Sequence, residues 1–223
     1  MTVYRNSKEK NFIVQIVFPF GEEKMAVPIV EAFWRPQEAI EDVKKEGNLS
    51  TPIIYLIIAG ILTAISLALL SYSMGRTVSS EAKVAQLLSN PGMGAISGFL
   101  LVFIGGLLGG LYYMLVMRAL KTESDYFAGV ATLAHTAMPA SLGLLILSIL
   151  SLVPKVGVII GAIIALMFFA LSAGTLYNAT KEFFETDMVT AFVGVSAFVL
   201  SISLIILLSV ISVIPYLPKP ATS

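Results

Sequence analysis

A single histidine, His135, is the one side chain within the long apolar stretches of this sequence that could exchange a proton near neutral pH. It stands in the run DYFAGVATLAHTAMPASL, which covers residues 125–142. Thr132 lies about one helical turn before it, Thr136 follows it directly, and Pro139 lies about one turn after it. A proline inside a helix leaves the carbonyl four residues earlier without its usual donor, so the carbonyl of residue 135 would need Thr136 or a water.

Two interpretations of His135 follow. At 1.5 Å per residue, its position about eight residues into the helix places it roughly 12 Å below the membrane boundary. It could sense protons or contact a substrate near a kinked crevice, since an ionisable group at membrane depth is a candidate site by default. It could also be a neutral, hydrogen-bonded residue that helps to pack a helix bend, and this is the interpretation that we favour.

Other chemistry finds little support in the residues. Ser97, in the run GAISG, would have to lie about 2.6 to 3.2 Å from a histidine base to act as a nucleophile. We expect a separation of roughly 10 Å along the membrane normal, because the two residues lie in opposite halves of the bilayer. With one histidine and no cysteine, no metal site and no cofactor are expected. Acidic and basic residues share two loops, and we interpret them as solvated loop charges: Arg118, Lys121, Glu123, Asp125, Lys181, Glu182, Glu185 and Asp187.

The composition is that of an integral membrane protein. Of the 223 residues, 57% are apolar and 13% are charged, which is more apolar surface than a soluble domain of this length can bury. Lysine plus arginine equals aspartate plus glutamate at 14 each, so the net charge gives no attraction to nucleic acid. The expected environment is the lipid bilayer.

Five stretches without an acidic or basic residue are long enough to cross about 30 Å of hydrocarbon as helices. The predicted fold is therefore all-α, a polytopic membrane protein with a bundle of five transmembrane helices. Pro154 and Lys155 favour a tight turn between the third and fourth helices over one long helix. The predicted spans are residues 52–74, 93–117, 127–153, 157–177 and 189–214.

Residues 1–51 precede the first span as a separate segment. Residues 12–20 are predicted to form a short strand or interfacial piece. Pro36 marks the start of a short amphipathic helix and Gly47-Asn48 its end. Its apolar side is expected to rest on lipid, with Phe33 and Trp34 as anchors at headgroup level. Ten of the 14 lysines and arginines fall on the side of this segment, which predicts a cytoplasmic N-terminus and an external or lumenal C-terminus with a short tail, 215–223.

Glycines in the second span recur at intervals of four residues. Gly94 and Gly98 form one pair, and Gly105 and Gly109 form another. Small residues at this spacing let helix backbones approach closely, which is a common source of contact between membrane helices. We therefore expect Gly98, Gly105 and Gly109 to serve packing within one protomer, with the second span at the centre of the bundle; a dimer seam or a lipid or ligand crevice is the alternative.

The layout resembles the Yip1 domain family of membrane proteins. The resemblance covers roughly residues 30–214 and is carried by the run FWRPQEAIEDVKKE before the first span, the five closely spaced helices, and the third helix. In that helix His135 stands about where the family has an aromatic residue, and Met138 replaces a leucine before Pro139. The acidic tyrosine-glycine motif that eukaryotic members use with small GTPases is absent from the sequence, so a small GTPase is not an expected partner.

The resemblance implies a non-enzymatic protein of membrane organisation or trafficking that acts through helix contacts with itself or with other membrane proteins. Two alternatives stay open on the residues alone. One is a small transporter or permease-like component, with His135, Thr132, Thr136 and Pro139 lining a path. The other is an accessory subunit of a larger membrane complex.

Overall fold

The structure is a computed structural model that describes residues 36–75, 90–153 and 156–213. The described residues form six helices and no strand, and five of these helices are long and apolar enough to cross a membrane, which confirms the predicted all-α fold. The predictions for residues 12–20, for Phe33 and Trp34, and for the tail at 215–223 lie outside the described residues. The helices are α1 (Pro36–Glu46), α2 (Ser50–Gly75), α3 (Pro91–Ala119), α4 (Tyr126–Leu150), α5 (Val156–Phe183) and α6 (Met188–Val213).

Three spans begin at side-chain caps that the sequence provides. The side chain of Asn90 accepts hydrogen bonds from the first turn of α3, where Pro91 follows it, and Asp125 accepts one from the backbone of Ala128 in α4. Asp187 does the same for α6. Such caps satisfy backbone N–H groups that have no partner within the helix. These caps fix the residues at which the three helices begin.

The fourth span is longer than predicted. α5 continues past Tyr177, the predicted end, to Phe183, because polar residues such as Thr180 still continue the helix after the apolar stretch. The Thr180 hydroxyl donates to the carbonyl of Leu176 in its own helix at 2.6 Å. α4 and α5 are separate helices, as the proline between them predicted, and α4 ends at Leu150, slightly before the predicted boundary.

The centre of the bundle is α4, the third span, and the prediction that the second span would be central is wrong. α4 packs against α2, α3 and α5, and it has the largest buried share of any span. Its small residues explain this, because a helix with little side-chain volume can have neighbours on several sides. α3 is instead largely exposed to the bilayer, and α6 contacts only α3 and α5 to an appreciable extent.

The amphipathic helix α1 folds back onto the bundle. Ala39, Ile40 and Val43 are at most 1% exposed and pack against α5 and α4, so the expectation that this face rests on lipid is wrong. The return of the chain depends on Gly47, which adopts φ +65° directly after α1, a conformation that a side chain disfavours. The ends of α4 and α5 that lie beside α1 bury its apolar face almost completely. We call this side of the molecule the α1 end.

Candidate functional site

His135 lies in a sealed position beneath α1. Its side chain is fully buried, between the ring of Tyr55 from α2 and the ring of Phe183 from α5. The imidazole centroid is 5.0 Å from that of Tyr55, with the rings nearly perpendicular, and 5.4 Å from that of Phe183. Both are favourable distances for aromatic packing. The predicted crevice does not open to His135 in this structure.

The hydrogen bond of His135 shows which ring nitrogen carries the hydrogen. Nδ1 is 2.8 Å from the carbonyl oxygen of Ala131, and a carbonyl can only accept, so Nδ1 carries the hydrogen. In the neutral ring Nε2 is then an acceptor, and it has no hydrogen-bond partner among the described residues. The hydroxyl of Thr132 is also fully buried and also has no hydrogen-bond partner among the described residues. This arrangement suits a neutral packing residue with one hydrogen bond left unmade.

The hydrogen bonds near Pro139 differ from the prediction for Thr136. The Thr136 hydroxyl donates to the carbonyl of Thr132 at 2.8 Å, so it does not turn to the carbonyl of residue 135. Ser172 of α5 donates instead to the carbonyl of Thr136 at 3.0 Å, which ties the two helices together one turn before the buried Pro139. Sequence reasoning missed Ser172 because a serine inside an apolar span ordinarily bonds to its own helix.

The three candidate glycines of α3 differ in what surrounds them. A Cβ at Gly98 would lie 2.9 Å from the carbonyl oxygen of Thr63, so this glycine allows α2 to approach α3. A Cβ at Gly109 would lie 2.9 Å from a methyl group of Leu133 in α4. A Cβ at Gly105 would meet nothing within 4 Å, and the residue is exposed. The prediction that Gly105 packs within the protomer is therefore wrong.

One very close helix contact involves a glycine that regular spacing does not indicate. Gly129 of α4 faces Gly110 of α3, and a Cβ built on Gly129 would collide with the Gly110 carbonyl oxygen. A Cβ at Gly110 would in turn lie 2.8 Å from the backbone nitrogen of Val130, so neither position leaves room for a side chain. Gly129 is preceded by no glycine four residues earlier, so a search for regular spacing could not find it.

A second polar contact joins α3 to α5. The hydroxyls of Tyr113 and Thr180 lie 2.6 Å apart in a buried position. The Tyr113 ring also packs against Phe198 of α6, with centroids 4.6 Å apart. Tyrosine is well suited to such a place, because it combines a large apolar ring with a hydroxyl that needs a partner. These residues hold the weakly packed α6 to the bundle.

The loop charges at the α1 end surround a cleft of about 810 Å³. Lys44 of α1 reaches across to Glu185 with a distance of 3.0 Å between nitrogen and oxygen. Asp125 and Asp187, which also line the cleft, are occupied as helix caps. In the described part of the chain, no three histidine or acidic side chains converge in the manner of a metal site. The geometry favours the interpretation of these residues as solvated charges and caps.

Acid should weaken the start of α6 through Asp187. Its carboxylate accepts hydrogen bonds from the backbone and side chain of Thr190 and from the backbone of Val189, which lower its pKa below the ordinary value. A carboxyl group with a lowered pKa in the folded state stabilises the fold above the unfolded pKa, near 3.9, and loses that contribution as pH falls through the folded pKa. We expect Asp187→Asn to reduce the loss of thermal stability between about pH 5 and pH 2.

Thermal unfolding in detergent across this pH range measures the effect of Asp187→Asn. Glu123→Gln is the matched control, because Glu123 is an exposed acid that lines the same cleft and is not one of the three helix caps. An identical pH profile for wild type and Asp187→Asn would contradict the capping role.

Comparison with known proteins gives one match. A family model described as the Yip1 domain matches residues 30–211. No curated protein and no solved structure matches the chain. The matched region contains α1 and all five membrane-spanning helices, apart from the last residues of α6. The chain, an integral membrane protein of five long apolar helices, belongs to the Yip1 domain family.

Proposed function

We propose that this protein is a non-enzymatic component of membrane organisation or trafficking, and that it acts through helix contacts with itself or with other membrane proteins. The observation that carries the proposal is the open surface around Gly105. No atom lies within 4 Å of the position that a Cβ would take there. Leu101 and Leu108, on the same side of α3, are 69% and 63% exposed. We call Leu101, Gly105 and Leu108 the α3 face.

The α3 face has the form that helix association in membranes uses. Lipid tails are as apolar as leucine, so membrane helices gain little from hydrophobicity when they associate. Close packing is a main source of attraction, and a glycine between larger side chains gives a partner helix a notch to enter. Gly105 does not serve packing inside the protomer. Of the alternatives, a dimer seam and a lipid or ligand crevice, the exposed leucines beside Gly105 favour contact with another helix.

The interior of the bundle supports this proposal over transport. His135 and Thr132, the polar residues that would line a path, are fully buried. Pumps and ion-coupled transporters ordinarily keep a charged group at membrane depth, and the central parts of the five spans carry none. The position of the basic residues Lys44, Lys45 and Arg118 at the α1 end supports a cytoplasmic location for this end.

The proposal is tested by co-expressing two copies with different affinity tags and measuring how much of one copy is recovered with the other in mild detergent. We expect recovery of the second copy from wild type and a reduction of about tenfold with Gly105→Leu, because the added side chain fills the notch. The control is Ala173→Leu, which adds bulk at an exposed position of α5.

Two results would contradict the proposal. One is equal recovery with Gly105→Leu and with wild type, together with an unchanged set of co-purified membrane proteins. The other is pH-dependent flux through proteoliposomes that disappears with His135→Ala, which would establish a transport path at that residue.

A further inference from the structure

Two buried polar groups of α4 lie beneath α1 without a hydrogen-bond partner in the described part of the chain. They are Nε2 of His135 and the hydroxyl of Thr132, and both side chains are 0% exposed. The two residues are three positions apart on one helix, so their side chains are neighbours on the same face of α4. Buried polar groups in folded proteins are almost always hydrogen-bonded, so the pair indicates a partner that is not a protein atom.

The hydroxyl of Thr132 differs from several other buried hydroxyls of the spans. A serine or threonine in an apolar helix ordinarily donates to a carbonyl of its own helix. Ser66 and Thr175 do so, at 2.6 and 2.9 Å. The hydroxyl of Thr132 makes no such bond. It is therefore available to a partner outside its own backbone.

The chemistry of the pair defines what the partner must do. Nε2 of His135 can only accept a hydrogen bond, because Nδ1 carries the hydrogen of the neutral ring, so the partner must donate. The hydroxyl of Thr132 can donate or accept. The backbone of Ala39, on the buried face of α1, also interacts with the ring but completes no hydrogen bond to Nε2. A molecule that both donates and accepts suits this set of groups.

The surroundings of the pair admit only a small molecule. The rings of Tyr55 and Phe183 lie against the imidazole, with centroids 5.0 and 5.4 Å away. Water is the smallest molecule that can donate and accept, and a buried water typically makes two to four hydrogen bonds to polar groups that have no other partner. Two buried groups left without a hydrogen bond cost more free energy than the entropy lost by one ordered water.

We propose that one buried water molecule binds between His135 and Thr132 beneath α1. The water donates a hydrogen bond to Nε2 of His135 and accepts one from the hydroxyl of Thr132, and its second hydrogen is directed to the backbone of Ala39. It thereby links the docked helix α1 to α4, the centre of the bundle. The site is separate from the α3 face, so the water and the proposed helix contact can fail independently of each other.

The test uses the full chain in lipid bilayers, with histidine as the only isotope-labelled residue, and solid-state NMR of the imidazole nitrogens. Because the chain has one histidine, every ring signal belongs to His135. We expect the Nε2 signal to lack an attached proton, to lie below the frequency of a free acceptor nitrogen, and to receive magnetisation from water protons. A free acceptor signal without transfer from water would overturn the proposal. A shifted signal without such transfer would also overturn it, because the hydroxyl of Thr132 would then bond to the ring directly.

Variants of Thr132 test the second partner of the water. Thr132→Val removes the hydroxyl and keeps the shape of the side chain, so transfer from water to Nε2 should fall severalfold and the signal should move toward that of a free acceptor. Thr132→Ser, which keeps the hydroxyl, should retain the wild-type signal. The control is Thr175→Val, the same change at an equally buried threonine whose hydroxyl bonds to its own helix, and it should leave both ring signals unchanged. Equal transfer in Thr132→Val and wild type would overturn the proposal, and so would an equal loss in Thr132→Val and Thr175→Val.

Discussion

Gly129→Leu should lower the midpoint of thermal unfolding by roughly 10 °C or prevent accumulation of folded protein. Any Cβ at Gly129 would collide with the carbonyl of Gly110, and backbone atoms cannot move aside as a flexible side chain can. Overpacking of this kind costs about 3 kcal/mol or more, and a domain of this size loses about 2 to 4 °C for each kcal/mol. The measurement is thermal unfolding in detergent, followed by circular dichroism or by loss of monodisperse protein.

The matched comparison is Gly105→Leu, which introduces the same side chain at a position of α3 where nothing lies within 4 Å of the added Cβ. We expect its melting temperature to equal that of wild type or to exceed it slightly, because leucine favours a helix more than glycine does. If the two variants unfolded at the same temperature, the close approach of α3 and α4 at Gly129 and Gly110 would not exist in the protein.

The glycines of α3 also show what could and could not be predicted from the sequence. Spacing alone placed Gly98, Gly105 and Gly109 on α3, and it could not tell which side of the helix faces a neighbour. In an apolar span, the sides toward lipid and toward protein have the same composition, so periodicity carries no signal about direction. The structure separates Gly105, open to the bilayer, from Gly98, which meets the backbone of α2.

The number of spans was predictable for a simple physical reason. The hydrocarbon thickness sets the length of an apolar helix, so five runs without charges yield five helices. The packing order was not predictable in the same way, because it depends on side-chain volume at particular contacts. α4 is central because residues such as Gly129 and Ala131 let neighbours approach it.

The sequence predicts that α1 is an amphipathic helix, but it does not predict which surface the apolar side of α1 packs against. Spacing of Ala39, Ile40 and Val43 indicated an apolar stripe, and lipid and protein are equally good partners for such a stripe. Only the three-dimensional arrangement shows that α4 and α5 lie beneath it. The cross-helix hydrogen bonds of Ser172 and Thr180 were not predictable either, because their partners lie far away in the sequence.

His135→Phe should retain the stability of the protein, and His135→Ala should destabilise it by about 3 kcal/mol. The imidazole fills a closed position between the rings of Tyr55 and Phe183, and loss of a buried ring leaves a cavity. Phenylalanine keeps most of that volume. It gives up the hydrogen bond from Nδ1 to Ala131, but it also removes a buried Nε2 that has no partner among the described residues, so the two effects offset each other.

This pair of variants separates packing from proton chemistry at the only histidine of the chain. A ring that serves packing can be replaced by phenylalanine, whereas a group that must bind and release a proton cannot. Melting temperature and recovery of the second tagged copy should therefore follow the order wild type, His135→Phe, then His135→Ala, with a small first step and a large second one. A His135→Phe variant that folds like wild type but loses a pH-dependent activity would instead assign the residue a role in proton transfer, and the sealed position under α1 would then have to open during that activity.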